Sequence, residues 1–171
     1  GDAGAVTGRK DLIDIIQMIK DHGRKEKYLH ELTGWNERLD AVQAAVVSAK
    51  IDYLDQWNQR RQANADIYFE LLADCNYIQL PKLNPVSSHV YNQFVITTKQ
   101  RNELKEFLSN KGIEAGIQFP LAMHQQPVYQ TNIQLPVSEQ LAAECLSLPV
   151  HAQLTADDVR TVSQAILDFF N

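Results

Sequence analysis

Apolar residues recur at steps of three and four from Leu39 onward, with Val42, Val46, Ala49, Tyr53 and Trp57 on the same stripe. That spacing marks the buried face of an amphipathic helix. Asp40 followed by Gln43 fits a capping-box start, with the carboxylate accepting from the first free backbone amides. The stripe continues through Ala65, Tyr68 and Leu72, which is roughly 30 residues, or about 45–50 Å if unbroken. That exceeds the usual globular helix, so a kink or break is expected near Asp55 to Asn58.

Other segments show shorter patterns. Asp11 to Lys20 carries Leu12, Ile13, Ile15, Ile16 and Ile19, a helix with a wide apolar face that Gly23 is placed to cap in the left-handed conformation. Val90 to Thr98 is β-branched and aromatic and reads as a strand. Asn102 to Asn110 reads as a helix, and Ile113 to Phe119 as a second strand halted by Pro120. Parallel strands here would make one right-handed crossover. Leu121 to Pro136 has no period, the mark of a functional loop. Val137 to Leu146 reads as a short helix with Cys145 on its apolar face, and 147–151 as an extended segment. Thr155 with Asp158 opens a last amphipathic helix bearing Val159, Val162, Ile166, Phe169 and Phe170. Pro81 to Ser88 is linker-like, so we expect a first region over 1–75 and a small α/β domain over 76–171.

Composition narrows the function. The 171 residues are 44% apolar and 22% charged, as in ordinary globular proteins. A net charge of −5 gives no electrostatic footprint for nucleic acid or an acidic membrane surface. No apolar run approaches the length of about 20 residues that a span needs, and Gly1 to Lys10 has no apolar centre of the kind a secretory leader carries. A cytoplasmic location is expected, and two isolated cysteines, Cys75 and Cys145, suit a reducing compartment.

No nucleophile elbow, Walker-type loop or zinc-protease helix occurs. The five histidines lack the spacing of a helical metal pair. The informative place is the loop Gly34-Trp35-Asn36-Glu37-Arg38, just ahead of the long helix. A carboxamide and a guanidinium there suit an anion. They equally suit a structural turn, with Arg38 paired to Glu31, Glu37 or Asp40.

The run KYLHELTGWNERLDAVQAAVVSAKIDYLDQWNQRR resembles the corresponding stretch of the DegT/StrS-type sugar-nucleotide aminotransferases. The matching residues are Lys27, Tyr28, His30, Gly34, Asn36, Arg38, Leu39, Asp40, Gln43, Ala44, Ala45, Leu54, Asp55, Trp57, Asn58, Arg60 and Arg61. The likeness persists through GIEAGIQFP, HQQPVY, LSLPVH and the final LTADD helix, nearly the whole chain. It implies the C-terminal part of a pyridoxal-phosphate-dependent transferase of the aspartate-aminotransferase fold, an α/β fold with a long connecting helix and a small α/β domain. It further implies a homodimer in which Asn36 reaches the cofactor phosphate of the neighbouring subunit, with Arg38 serving anionic groups of cofactor or nucleotide sugar. His30, Lys27, His124 and Tyr129 become candidate substrate contacts.

In that family a G-D-x-G-A stretch lies a few residues after the lysine that carries the cofactor. Gly1 to Ala5 matches that stretch, and Lys10 follows it, so Lys10 is no substitute. The chain alone is therefore expected to be inactive, to name no catalytic residue of its own, and to leave apolar surface open to self-association. A non-catalytic binding or assembly module reusing the fold is the alternative. One departure stands out: Gln118 and Phe119 occupy positions where the family often has His and Tyr.

Overall fold

The structure, a computed structural model, describes residues 3–129 and 131–171. Gly1 and Asp2, which open the Gly1–Ala5 stretch, lie outside them, and residues 3–9 take no regular secondary structure. The chain divides into two compact units, Gly1–Leu54 and Asp55–Asn171.

In the first unit, helix α1 (Lys10–Lys20) forms where the isoleucine-rich period predicts it. It ends as expected: Gly23 takes φ +71°, and its amide donates back to the Met18 carbonyl at 2.8 Å. A small antiparallel hairpin follows, β1 (Arg24–Glu26) and β2 (Leu29–His30). Helix α2 (Ala41–Ile51) completes the unit. Asp40 does occupy its N-cap in an extended conformation, but its side chain makes no capping hydrogen bond, so the capping-box expectation fails.

The apolar stripe on α2 is not buried either. Val42 is 75% exposed, Leu39, Val46 and Tyr53 are exposed with it, and neither α1 nor α2 has a buried residue. Periodicity reports that a face is apolar, whereas burial needs a partner surface.

The long helical pattern breaks at Asp52–Tyr53, slightly before the expected position, and resumes as α3 (Leu54–Leu72). Ala65, Tyr68 and Leu72 on α3 are at most 1% exposed and begin the core of the second unit. Strand β3 (Phe94–Thr97) sends Phe94 and Ile96 into that core. Helices α4 (Arg101–Asn110) and α6 (Ala156–Phe170) pack on each other and contribute Leu104, Leu108, Val159, Val162 and Ile166. The Thr155–Asp158 capping box forms as read, with the Asp158 amide donating to Thr155 Oγ1 and the Thr155 amide to Asp158.

Two expectations are corrected here. The helix predicted through Leu146 stops at Glu144 (α5, Pro136–Glu144), and Cys145 opens strand β4 (Cys145–Leu148) instead. Strand β4 pairs antiparallel with β3, from Phe94 opposite Leu148 to Thr97 opposite Cys145. The predicted strand over 113–119 reduces to a single antiparallel bridge, Gly116 to Ser147 on β4. Both β3 and the Gly116 segment run against β4, so they run parallel to each other. The crossover through α4 thus exists, but β4 is inserted between its two arms.

Candidate functional site

The loop ahead of α2 folds back onto the end of α1. The His22 amide donates to the Trp35 carbonyl and the Glu37 amide to the Lys20 carbonyl, each at 2.8 Å. These bonds flank an antiparallel bridge between Asp21 and Asn36. Asp21 and Asn36 are consequently a non-hydrogen-bonded pair, the kind whose side chains stand closest. Arg38, two residues further, returns to the same face.

Arg38 Nε donates to Asn36 Oδ1 at 2.8 Å. Arginine can only donate, so the atom it meets must be the carbonyl oxygen, and Asn36 Nδ2 with its two N–H groups is the atom left over. Both residues are exposed. Arg38 Nε also lies 3.8 Å from Asp21 Oδ1. None of the alternatives Glu31, Glu37 or Asp40 takes Arg38. Glu31 is held instead by Lys25 at 3.0 Å.

Asp21 is shared. Arg24 donates to its Oδ2 through both Nε, at 3.1 Å, and Nη2. The hydrogen bond from Arg24, with the charges of Arg24, Arg38 and His22, holds the Asp21 carboxyl below the usual carboxylate range against a smaller opposing effect of burial. Two guanidiniums serve one carboxylate, so the cluster retains a positive charge beside the outward N–H groups of Asn36. That combination can bind a phosphate.

His30 belongs to the same knot through the backbone, its Nδ1 2.8 Å from the His22 carbonyl. A carbonyl only accepts, so Nδ1 carries the proton and Nε2 is the free nitrogen. His22 is held at φ 60°, an uncommon conformation for a residue with a side chain. Lys27 sits in the hairpin turn with its ammonium 5.2 Å from the Tyr28 ring centroid. Among the described residues no hydrogen bond ties it to Asn36 or Arg38.

The two remaining candidates lie in the second unit. His124, on a 3₁₀ turn over Met123–Gln125, meets Glu139 of α5 at 2.9 Å, and its side chain is 10% exposed. The carboxylate fixes the proton on Nε2. Tyr129 ends the next 3₁₀ turn (Pro127–Tyr129) and is half exposed. Neither lines the apolar groove of about 440 Å³ nearby, which is formed by β3, β4, α5 and the 117–126 loop. Its polar lining is carboxamides and hydroxyls, including Gln93, Gln118, Gln126 and Ser147. Gln118 and Phe119, singled out as departures, both reach this groove. Gln93 carries no signal in the sequence that would have found it, whereas Gln126 lies in the family-like run HQQPVY.

The sequence profile of the DegT/DnrJ/EryC1/StrS aminotransferase family matches residues 1–167. The chain belongs to this family. It is 36% identical over 99% of its length to the pleiotropic regulatory protein of Geobacillus stearothermophilus, covering 48% of that protein. It is also 36% identical over 99% of its length to dTDP-3-amino-3,4,6-trideoxy-alpha-D-glucose transaminase of Streptomyces venezuelae, covering 46% of it. Among solved structures, S. venezuelae DesV superposes with a TM-score of 0.92 at 34% identity, over 96% of this chain and 45% of DesV. A family aminotransferase from Brucella abortus gives 0.87 at 30% identity, over 94% of this chain and 44% of that one. The chain thus spans about half the length of the curated relatives it matches. Its fold is the corresponding α/β part of an aminotransferase of this family. No helix among the described residues is long and apolar enough to cross a membrane.

Proposed function

We propose that this chain is the C-terminal portion of a pyridoxal-phosphate-dependent transaminase. The enzyme moves an amino group from a donor such as glutamate onto a nucleotide-linked keto sugar, in the cytoplasm, for amino-sugar biosynthesis. The observation that carries this reading is the exposed Asn36–Arg38 pair, an all-donor site with surplus positive charge within a family of aminotransferases. The donor set fits a phosphate monoester, which accepts several charge-assisted hydrogen bonds.

Bound pyridoxal phosphate supplies the electron sink on which amino transfer depends. This chain's own residues bind and orient. Asn36 Nδ2 donates to phosphate oxygens, in a homodimer to the cofactor phosphate of the neighbouring subunit. The terminal nitrogens of Arg38 hold further negative charge of cofactor or nucleotide. His30 presents Nε2, and Lys27 adds a cation, towards the substrate side. His124, committed to Glu139, serves by holding the loop that carries Tyr129.

By the family resemblance, the lysine that carries the cofactor precedes the Gly1–Ala5 segment, in the half of the relatives' length that this chain does not span. On this reading the 171 residues alone do not turn over. The test supplies a whole polypeptide containing this segment with pyridoxal phosphate, glutamate and dTDP- or UDP-linked keto sugars. Amino-sugar formation is expected, with none from the 171 residues alone. No turnover on any of these sugars overturns the proposal.

A second reading, a non-catalytic binding or assembly module, draws support from the regulatory name of the Geobacillus relative. It predicts that the whole polypeptide binds a nucleotide sugar without consuming glutamate.

A further inference from the structure

We infer that Asp21 is the positioning residue of the Asn36–Arg38 phosphate clasp, aiming its donors outward without touching the ligand itself. This rests on the phosphate reading above.

The two oxygens of the Asp21 carboxylate face different arginines. Both Arg24 contacts go to Oδ2. Oδ1 is buried, has no hydrogen-bond partner among the described residues, and faces Arg38 Nε at 3.8 Å. A buried, unsatisfied carboxylate oxygen is costly and is retained only where something offsets it. Here the offset is Coulombic: Oδ1 attracts the inner edge of the Arg38 guanidinium but does not take its Nε proton, which goes to Asn36.

Consequences follow at both ends of that contact. With the inner edge of Arg38 drawn towards Asp21, neither its bond to Asn36 nor its contact with Asp21 uses the terminal nitrogens. With Asn36 Oδ1 occupied by Arg38, the carboxamide cannot flip to present an oxygen to an anion. A flipped amide would place a lone pair against phosphate. Arg24 completes the arrangement, because it neutralises Asp21 and so leaves the charge of Arg38 available. The backbone bridge sets the register, since it puts Asp21 directly opposite Asn36.

Asp21→Asn separates this role from a bulk electrostatic one. Removing a negative charge beside an anion site should tighten phosphate binding by charge alone. A positioning residue predicts the reverse. Titrating the 171-residue chain with inorganic phosphate at fixed ionic strength, followed by NMR, is expected to show at least fivefold weaker binding in D21N. The His22 and Glu37 amides, which report the bridge, should keep their protection from exchange. In the ligand-free wild-type chain the Arg38 Nε–H should exchange at least tenfold more slowly than in free arginine, and D21N should abolish the difference.

Equal or tighter phosphate binding in D21N overturns the inference while leaving the clasp standing. Free-arginine exchange at Arg38 in the wild-type chain overturns it as well, whatever the variant does. No phosphate binding by the wild-type chain overturns the clasp reading itself, and with it the purpose assigned to Asp21.

Discussion

Gly34 lies directly against Gly23: a Cβ on Gly34 would stand 2.1 Å from the Gly23 amide nitrogen and 2.5 Å from the Ile19 carbonyl oxygen. Gly23 is equally constrained, since a Cβ there would meet the Leu32 carbonyl oxygen at 1.6 Å in a left-handed backbone. Backbone meets backbone here, and neither strand of the contact can yield. The pair is what allows the Asn36 loop to close on the end of α1. Gly34→Ala is expected to cost about 2–3 kcal/mol or more, at or above the usual range for overpacking. It should release Trp35, whose amide donates to the Ile19 carbonyl at 2.8 Å. Urea unfolding followed by tryptophan fluorescence, with protection of the Trp35 amide as the local probe, checks this. Unchanged protection would show that the close approach is not required.

Tyr68 is fully buried, and its hydroxyl donates to the Pro149 carbonyl at 2.7 Å, joining α3 to the segment after β4. Burial pushes its phenol above the usual range, so the donor stays protonated at any working pH. Tyr68→Phe keeps the ring packed 4.9 Å from Phe94 and leaves the carbonyl unsatisfied, for an expected loss of about 1–2 kcal/mol. Tyr68→Ala adds a cavity and should cost about 3–5 kcal/mol. Denaturant unfolding of both variants separates the hydrogen bond from the packing.

Glu139 accepts from the Leu135 amide and from His124 Nε2, each at 2.9 Å. The backbone bond first, and then the histidine, hold its carboxyl below the usual range. The sign follows from linkage. A carboxyl whose folded pKa is depressed stabilises the fold above its unfolded pKa, and that contribution disappears as pH falls through the folded value. Protection of the 121–129 loop amides, measured against their intrinsic exchange rates, is therefore expected to fall as pH drops through and below the ordinary glutamate range. Glu139→Gln should remove most of that pH dependence and raise exchange at neutral pH. An identical pH profile in the variant would assign the effect to another group.

Much of the element order could be read from side-chain period, because α1, α4 and α6 each have an apolar face that matches 3.6 residues per turn. The break after α2 was legible from length alone. Cys145 was not, since Leu141, Cys145 and Leu146 suit a helix face as well as a strand start. Only pairing with β3 decides between them. The 113–119 segment misled in the same way: β-branched content suggests a strand, but just one residue of it finds a partner.

The site divides along the same line. Asn36 and Arg38 stood out by residue type and by family pattern, while Asp21 and Arg24 carried no signal, being ordinary charges at a helix end. What the sequence determined by itself was the inventory: which faces are apolar, which helix is capped by Thr155, and which family the pattern belongs to. Those depend on residues close in the chain, where spacing and chemistry suffice. Tertiary structure alone decided that Asp21 stands opposite Asn36, that Glu139 takes His124, and that the stripe on α2 stays exposed. Each of these rests on which surfaces meet across the fold, and local period contains no information about that.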